Sequence, residues 1–336
     1  MTDILNLSDL PLDKCHFNFI GEGAANLVFE VIIDPNFKDI DDHIRKTFQE
    51  NLIRLPKADS KTHPHQHLQN YWETIISPLF PSSSLVQQRL IKIGGPQIIH
   101  QLNLSLTNNH NNDRRHDFRN TTVSNAEYGM LVEDMRAKSL HDLSIEFKPK
   151  WLSQSPNAPP QSIRCRTCAR EALRSHKKGS NKPKAIPCPL DYIACNNTTN
   201  NTSTNPKDSS SLTKILSSPL FPSLSHPALQ TWLQQNALLP SLLQAQLSND
   251  KSGVLDPLLN NPNKLSLAMT LRDCSVFLRI KKDGSVEAKL ADLDRKDWER
   301  KLEYWKGMER DLIEGGYYKG KENPKQITDC LLERGK

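Results

Sequence analysis

The sequence predicts an α+β protein in two lobes, and three stretches carry that expectation. Residues 17–31 hold two β-prone runs around a glycine turn. Residues 276–290 hold two more, closed by Asp283-Gly284. Between them the pattern shifts to leucine-rich helical segments broken by proline-rich and polar tracts. A chain of 336 residues with 36% hydrophobic content is long enough for about two domains, each with its own core. The boundary falls near residue 137, giving an N-terminal lobe over 1–137 and a C-terminal lobe over 138–336.

In the first lobe, residues 17–20, 27–33, 43–48 and 129–132 are β-prone, and a helical stretch surrounds residues 71–76. The turn Gly21-Glu22-Gly23-Ala24-Ala25-Asn26 lies between two strands. A Rossmann or P-loop glycine turn feeds a helix instead, and the Gly-Lys-Ser/Thr of a P-loop is absent. An ordinary hairpin and a flap of the protein-kinase type, whose bare amides approach triphosphate oxygens, both fit this pattern. Ile44-Arg45-Lys46 is expected on a strand, either supplying a cation to such phosphates or lying at the surface. Leu131-Val132-Glu133-Asp134-Met135 emerges from a strand into a connection and suits a hinge.

The second lobe begins with an extended run over residues 144–151. Pro149 restricts Lys148 to extended conformations, so Lys148 and Lys150 should project to one side, as a bridging phosphate or a solvated edge strand would use them. A proline-rich stretch follows at 155–161. Cys165-Arg-Thr-Cys168, with His176, Cys188 and Cys195 downstream, admits either a zinc site or small thiols packed in a core. Residues 196–211 carry almost no apolar side chains and are expected to be a disordered insertion. Leucine-rich helices are expected over 227–247.

The hairpin at 276–290 carries the densest chemistry. With Asp283-Gly284 as a two-residue turn, Lys282 faces Ser285, Asp273 faces Asp294, and Asp292 lies diagonal on the same face. Three converging carboxylates repel unless a cation separates them, and oxygen donors suit magnesium better than zinc. The following segment, 296–313, is patterned as an amphipathic helix. Trp298, Leu302, Trp305 and Leu312 share one side, and Lys296, Arg300 and Tyr304 form a stripe on the other. A plain hairpin followed by a solvated charged helix accounts for the same spacing.

A net charge of +6 and a pI near 8.8 fit a polyanionic small molecule, nucleic acid or an acidic membrane surface. No basic tract interleaved with aromatics favours nucleic acid. The start, MTDILNLSDLPLDKC, lacks the basic and apolar runs of a signal peptide, and no apolar run reaches about 18 residues, so an intracellular protein without membrane insertion is expected. Seven cysteines spread along the chain fit reduced thiols.

Taken together, GEGAAN at 21–26, IRK at 44–46, Arg115 and Arg119 of an R-x-x-x-R pair, IEFKPKW at 145–151, CRTCA at 165–169, CPLD at 188–191, RDCS at 272–275 and LADLDRK at 290–296 resemble the inositol-pentakisphosphate 2-kinase family, most closely its fungal branch. The motifs run in family order, with Phe147 in place of the usual isoleucine. The resemblance implies a two-lobed kinase-like fold with ATP and substrate in the cleft between lobes, and ATP-dependent phosphorylation of the 2-hydroxyl of inositol 1,3,4,5,6-pentakisphosphate to hexakisphosphate (phytate). It implies Asp273 as the catalytic aspartate, and Asp292 with Asp294 as magnesium ligands. Lys148, Lys150, Lys296, Arg300, Tyr304 and Arg119 match inositol-phosphate contacts. Gly21, Glu22, Gly23, Ala24, Asn26 and Arg45 match the nucleotide side, joined by Glu133 and Met135 of the hinge. Plant members bind zinc in the central insert, so zinc at Cys165, Cys168 and Cys188 does not follow by motif. A monomer with no stable nucleic-acid partner, in the nucleus or cytoplasm, is expected. A related kinase with another phosphorylated or protein substrate is disfavoured by the absence of His-Arg-Asp and Asp-Phe-Gly motifs. A non-catalytic inositol-phosphate-binding module is disfavoured by the retained aspartates.

Overall fold

The computed structural model describes residues 4–108, 114, 116–180, 186–196, 207–221, 226–256, 261–320 and 328–334. The chain is α+β and divides into two units, residues 1–78 with 86–135, and residues 79–85 with 136–336. Among the described residues, no helix is long and apolar enough to cross a membrane.

In the first unit, strict alternation in Asn-Leu-Val-Phe-Glu-Val buries Leu27, Phe29 and Val31 on one face of a strand, as period-two geometry requires. Its elements are β1 (Cys15–Glu22), β2 (Asn26–Ile33), α1 (Asp42–Glu50), β3 (Asn51–Pro56), α2 (His65–Tyr71), β4 (Gln88–Lys92), α3 (Pro96–Asn108) and β5 (Tyr128–Glu133). The strands form an antiparallel sheet in the order β1-β2-β3-β5-β4. Ile98, Leu102 and Leu106 of α3 join the apolar core of that sheet.

One expected strand is a helix. Residues 43–48 lie in α1 because Asp41 caps it, accepting from the amides of His43 (2.7 Å) and Ile44 (3.2 Å). Ile44 and Phe48, four apart, then turn toward the core. The strand that pairs with β2 on the side away from β1 is β3, where Arg54 faces Val28.

The second unit contains β6 (Leu143–Phe147), α4 (Arg166–Lys177), α5 (Pro189–Ala194), α6 (Lys207–Leu216), α7 (Pro227–Gln235), α8 (Leu238–Asn249), α9 (Pro262–Leu271), β7 (Ser275–Ile280), β8 (Val286–Ala291), α10 (Trp298–Glu314) and α11 (Leu331–Arg334). The strands make an antiparallel sheet with β7 central. Trp305 of α10 packs with Leu265 of α9 and Val254, and Trp298 and Leu302 border them, so the apolar side of the expected helix faces the core. Residues 207–211 of the expected disordered tract belong to α6, where Ser211 is buried and donates to Asp191 (2.7 Å). Residues 197–206 lie outside the described residues.

The hairpin register is corrected by one residue. Ile280 faces Val286 and Ser275 faces Ala291. The turn is a three-residue loop: Gly284 donates to the Lys281 carbonyl, Lys281 donates to the Ser285 carbonyl, and Gly284 takes φ +81°. A type I turn followed by a left-handed glycine makes this bulged closure, which moves each partner by one position relative to a two-residue turn.

Candidate active site

Asp273 stands where a helix hands over to a strand. Helix α9 ends at Leu271, the Asp273 amide still bonds to the Thr270 carbonyl (3.0 Å), and β7 begins two residues later. The side chain is thus fixed by the backbone on both flanks while 44% of it stays exposed. Three lysines meet at this residue. Lys150 donates to Oδ1 (2.9 Å), Lys296 to Oδ2 (2.7 Å), and Lys148 to the Asp273 carbonyl (2.7 Å). Burial works to raise the Asp273 carboxyl, but the Lys296 and Lys150 ammoniums outweigh it and hold the group well below the usual carboxylate range.

Lys148 also pairs with Asp292 Oδ2 (2.6 Å), linking the two aspartates through one ammonium. Burial would lower its pKa, and the Asp292 and Asp273 charges raise it instead. Asp292 follows β8 with φ +57°, a left-handed conformation that costs a non-glycine residue roughly 1–3 kcal/mol and that gathers at functional sites. Lys148 therefore ties the Asp292 carboxylate to the Asp273 backbone, in place of the facing register expected between Asp273 and Asp294. The Asp294 carbonyl accepts from Thr270 (3.1 Å), tying the β8 exit to α9. The partly exposed Asp273 and Asp292 carboxylates offer the oxygen donors that a hard divalent cation such as Mg²⁺ prefers.

Lys148 and Lys150 converge by a different route from simple alternation. β6 stops at Phe147, and Lys150 takes φ +59°. Gln246 of α8 fixes that turn: its fully buried amide donates to the Lys150 carbonyl (2.9 Å) and the Leu271 carbonyl (3.1 Å), and accepts from the Leu152 amide (3.1 Å). One side chain thus pins the lysine segment to the end of α9, just before Asp273. Trp151 is gripped by two guanidiniums, Arg272 at 3.6 Å and Arg166 at 4.3 Å from its ring centre. Each arginine is buried against its own carboxylate, Arg272 on Asp250 (2.5 Å) and Arg166 on Glu309 (2.7 Å).

Lys296 precedes α10 and so is not on its helical stripe. Arg300 lies in the first turn, where its amide and guanidinium both bond the N-cap Asp297, and Tyr304 is exposed one turn further. Arg119 belongs to the first unit, where its Nε donates to the Arg114 carbonyl (3.4 Å).

In the first unit, Gly23 donates to the Asn26 carbonyl (2.9 Å) to close the β1–β2 turn. A Cβ at Gly21 or Gly23 would meet nothing within 4 Å, so the fold itself does not demand glycine there. Ala24 is exposed, and Asn26 Oδ1 lies 3.1 Å from His65 Nε2. Glu22 turns inward: Lys57 (2.7 Å) and Arg114 (2.9 Å) take its carboxylate, and their hydrogen bonds lower its pKa against the effect of burial. Arg45 is spent on the carbonyls of Asp34 and Phe37, steadying the loop before α1. Glu133 accepts from the Gln87 amide (3.1 Å) at the end of β5, and Met135 is buried two residues on. Sequence patterning misses Lys57, Arg114 and Gln246 because each acts on a partner far away along the chain.

A family model described as inositol-pentakisphosphate 2-kinase matches residues 19–207 and 198–311. An inositol-pentakisphosphate 2-kinase of Yarrowia lipolytica is 34% identical over 193 residues, a match spanning 56% of this chain and 56% of that protein.

Proposed function

The chain belongs to the inositol-pentakisphosphate 2-kinase family, and from that premise we propose that it transfers a phosphoryl group from ATP to the 2-hydroxyl of inositol 1,3,4,5,6-pentakisphosphate. One observation carries the reading: three lysine ammoniums gather on a single partly exposed aspartate. Such a cluster costs stability through like-charge repulsion unless anions answer it. Asp273 answers in the free protein, and substrate phosphates answer in the complex.

This exchange couples binding to chemistry. While Lys150 and Lys296 hold both carboxylate oxygens, Asp273 is a weak proton acceptor. Phosphates drawing those ammoniums away free the carboxylate to orient the acceptor hydroxyl and take its proton as the bond to phosphorus forms. Asp292, with Asp273 or Asp294 beside it, would hold Mg²⁺, which neutralises charge on the transferred phosphoryl group. Arg300 and Tyr304, on the first two turns of α10, extend the phosphate-binding surface. In this reading the first unit binds ATP, with the turn of residues 21–26 covering its phosphates, Arg54 of β3 replacing Arg45 as the cation, and residues 133–135 meeting the base. The open space around Gly21 and Gly23 supports this, because a group can approach the backbone there without meeting a side chain.

The test is to incubate the protein with ATP, Mg²⁺ and individual inositol pentakisphosphate isomers, separating products by anion exchange. Hexakisphosphate should arise from the isomer with a free 2-hydroxyl. Equal turnover of every isomer, or none of any, would refute the assignment.

A further inference from the structure

Four cysteines from distant parts of the second unit meet in its interior. Cys165 and Cys168 stand at the start of α4, Cys188 caps α5, and Cys330 immediately precedes α11. All four are buried, and their sulfurs lie within 4.8 Å of one another. The Cys165–Cys188 and Cys188–Cys330 sulfur separations are both 3.8 Å. A tetrahedral zinc ion with bonds of about 2.3 Å places its sulfurs about 3.8 Å apart, since a tetrahedron's edge is roughly 1.63 times its centre-to-corner distance. A disulfide would need about 2.05 Å. A cluster of several metal atoms would spread the four sulfurs further apart than they are.

We propose that Cys165, Cys168, Cys188 and Cys330 bind one zinc ion as a closed, structural tetrathiolate site. The surroundings fit that role. Leu190, Leu331 and Leu332 pack against the sulfurs and keep water out, and the Cys165 amide donates to Cys330 Sγ (3.2 Å), the contact that orients and stabilises a metal-bound thiolate. None of the four belongs to the Asp273 cluster, so the ion acts on the fold. It ties the segment before α11 to the first turn of α4, where Arg166 grips Trp151 of the lysine segment. The remaining candidates fall elsewhere: Cys195 Sγ approaches the carbonyls of Tyr192 (3.7 Å) and Leu233 (3.8 Å), and His176 Nδ1 lies 2.5 Å from the Tyr317 hydroxyl.

The full chain, purified from zinc-supplemented cells and gel-filtered, should carry about one zinc per chain by mass spectrometry. A mercurial thiol reagent should release it to a chromophoric chelator. Exchange with cobalt should give the strong visible bands of tetrahedral thiolate coordination. Cys330→Ser should lose the zinc, and Cys195→Ser should keep it. Because Cys330→Ser also removes packing, Cys330→His supplies a second reading: it retains a ligand and should bind cobalt with a shifted spectrum. Metal-free protein after zinc incubation, disulfides among the four cysteines, equal zinc loss from Cys195→Ser, or an unchanged cobalt spectrum in Cys330→His would each overturn the proposal.

Discussion

Replacing Lys296 by methionine keeps the length of the side chain and deletes the charge that does most to hold Asp273 ionised. In the free protein, the Lys296 ammonium lies 2.7 Å from Oδ2. Its loss should move the Asp273 carboxyl up toward the ordinary value of about 3.9, short of reaching it because Lys150 and Lys148 remain. In the complex, a lost charge-assisted hydrogen bond to phosphate should cost about 1.5–3 kcal/mol, or about 10- to 150-fold in substrate affinity. ATP affinity should not move. The penalty should also vanish on whichever tetrakisphosphate lacks the partner phosphate, because the same contact cannot be lost twice. Carboxyl-detected NMR titration reads the first effect, and calorimetry with pentakis- and tetrakisphosphates reads the second. An unmoved Asp273 titration would refute the electrostatic argument. Equal losses on all inositol phosphates and on ATP would refute the phosphate role.

Asp273→Asn should bind substrate yet lose turnover by at least about 100-fold, since an amide keeps the size but not the proton-accepting charge; near-normal turnover in single-turnover kinetics would remove Asp273 from catalysis. Glu309→Ala should destabilise the second unit by about 3–5 kcal/mol, because it strands the buried Arg166 guanidinium and also deprives Ser155 and Tyr318 of their acceptor. At about 2–4 °C per kcal/mol, a melt should fall by roughly 6–20 °C, and a shift under about 2 °C would contradict that network's role. The pH dependence follows from two opposite shifts. Asp273 is lowered on folding, so its contribution is present above the unfolded pKa of about 3.9 and disappears as pH falls through the lower folded value. Lys148 is raised, so its contribution is present below the unfolded pKa of about 10.4 and disappears as pH rises through the higher folded value. The stability gap between wild type and Asp273→Asn should therefore stay level from about pH 5 to 9 and shrink in acid, as read by urea titrations at each pH; a gap that widened on acidification would refute the assignment.

Sequence by itself determined the features written in short-range patterns. The alternation in residues 27–31, the presence of a hairpin closing near Asp283-Gly284 and the apolar side of α10 all depend on neighbours within a few positions. Tertiary structure decided the rest. Residues 43–48 became a helix because the Asp41 cap and the apolar spacing of Ile44 and Phe48 prevailed over strand propensity. The bulged turn shifted the hairpin by one residue, and Asp292 met Lys148 from a left-handed backbone turn. Gln246 and Glu309 have no local signature, yet one pins the lysine turn to α9 and the other neutralises the arginine under Trp151. Cys330 lies far along the chain from Cys165-Arg-Thr-Cys168, and only the packing of α11 against α4 and α5 brings its sulfur to the other three. Local pattern reports which face of an element seeks the core; which partner waits there is set by contacts between residues that the chain brings together only when it folds.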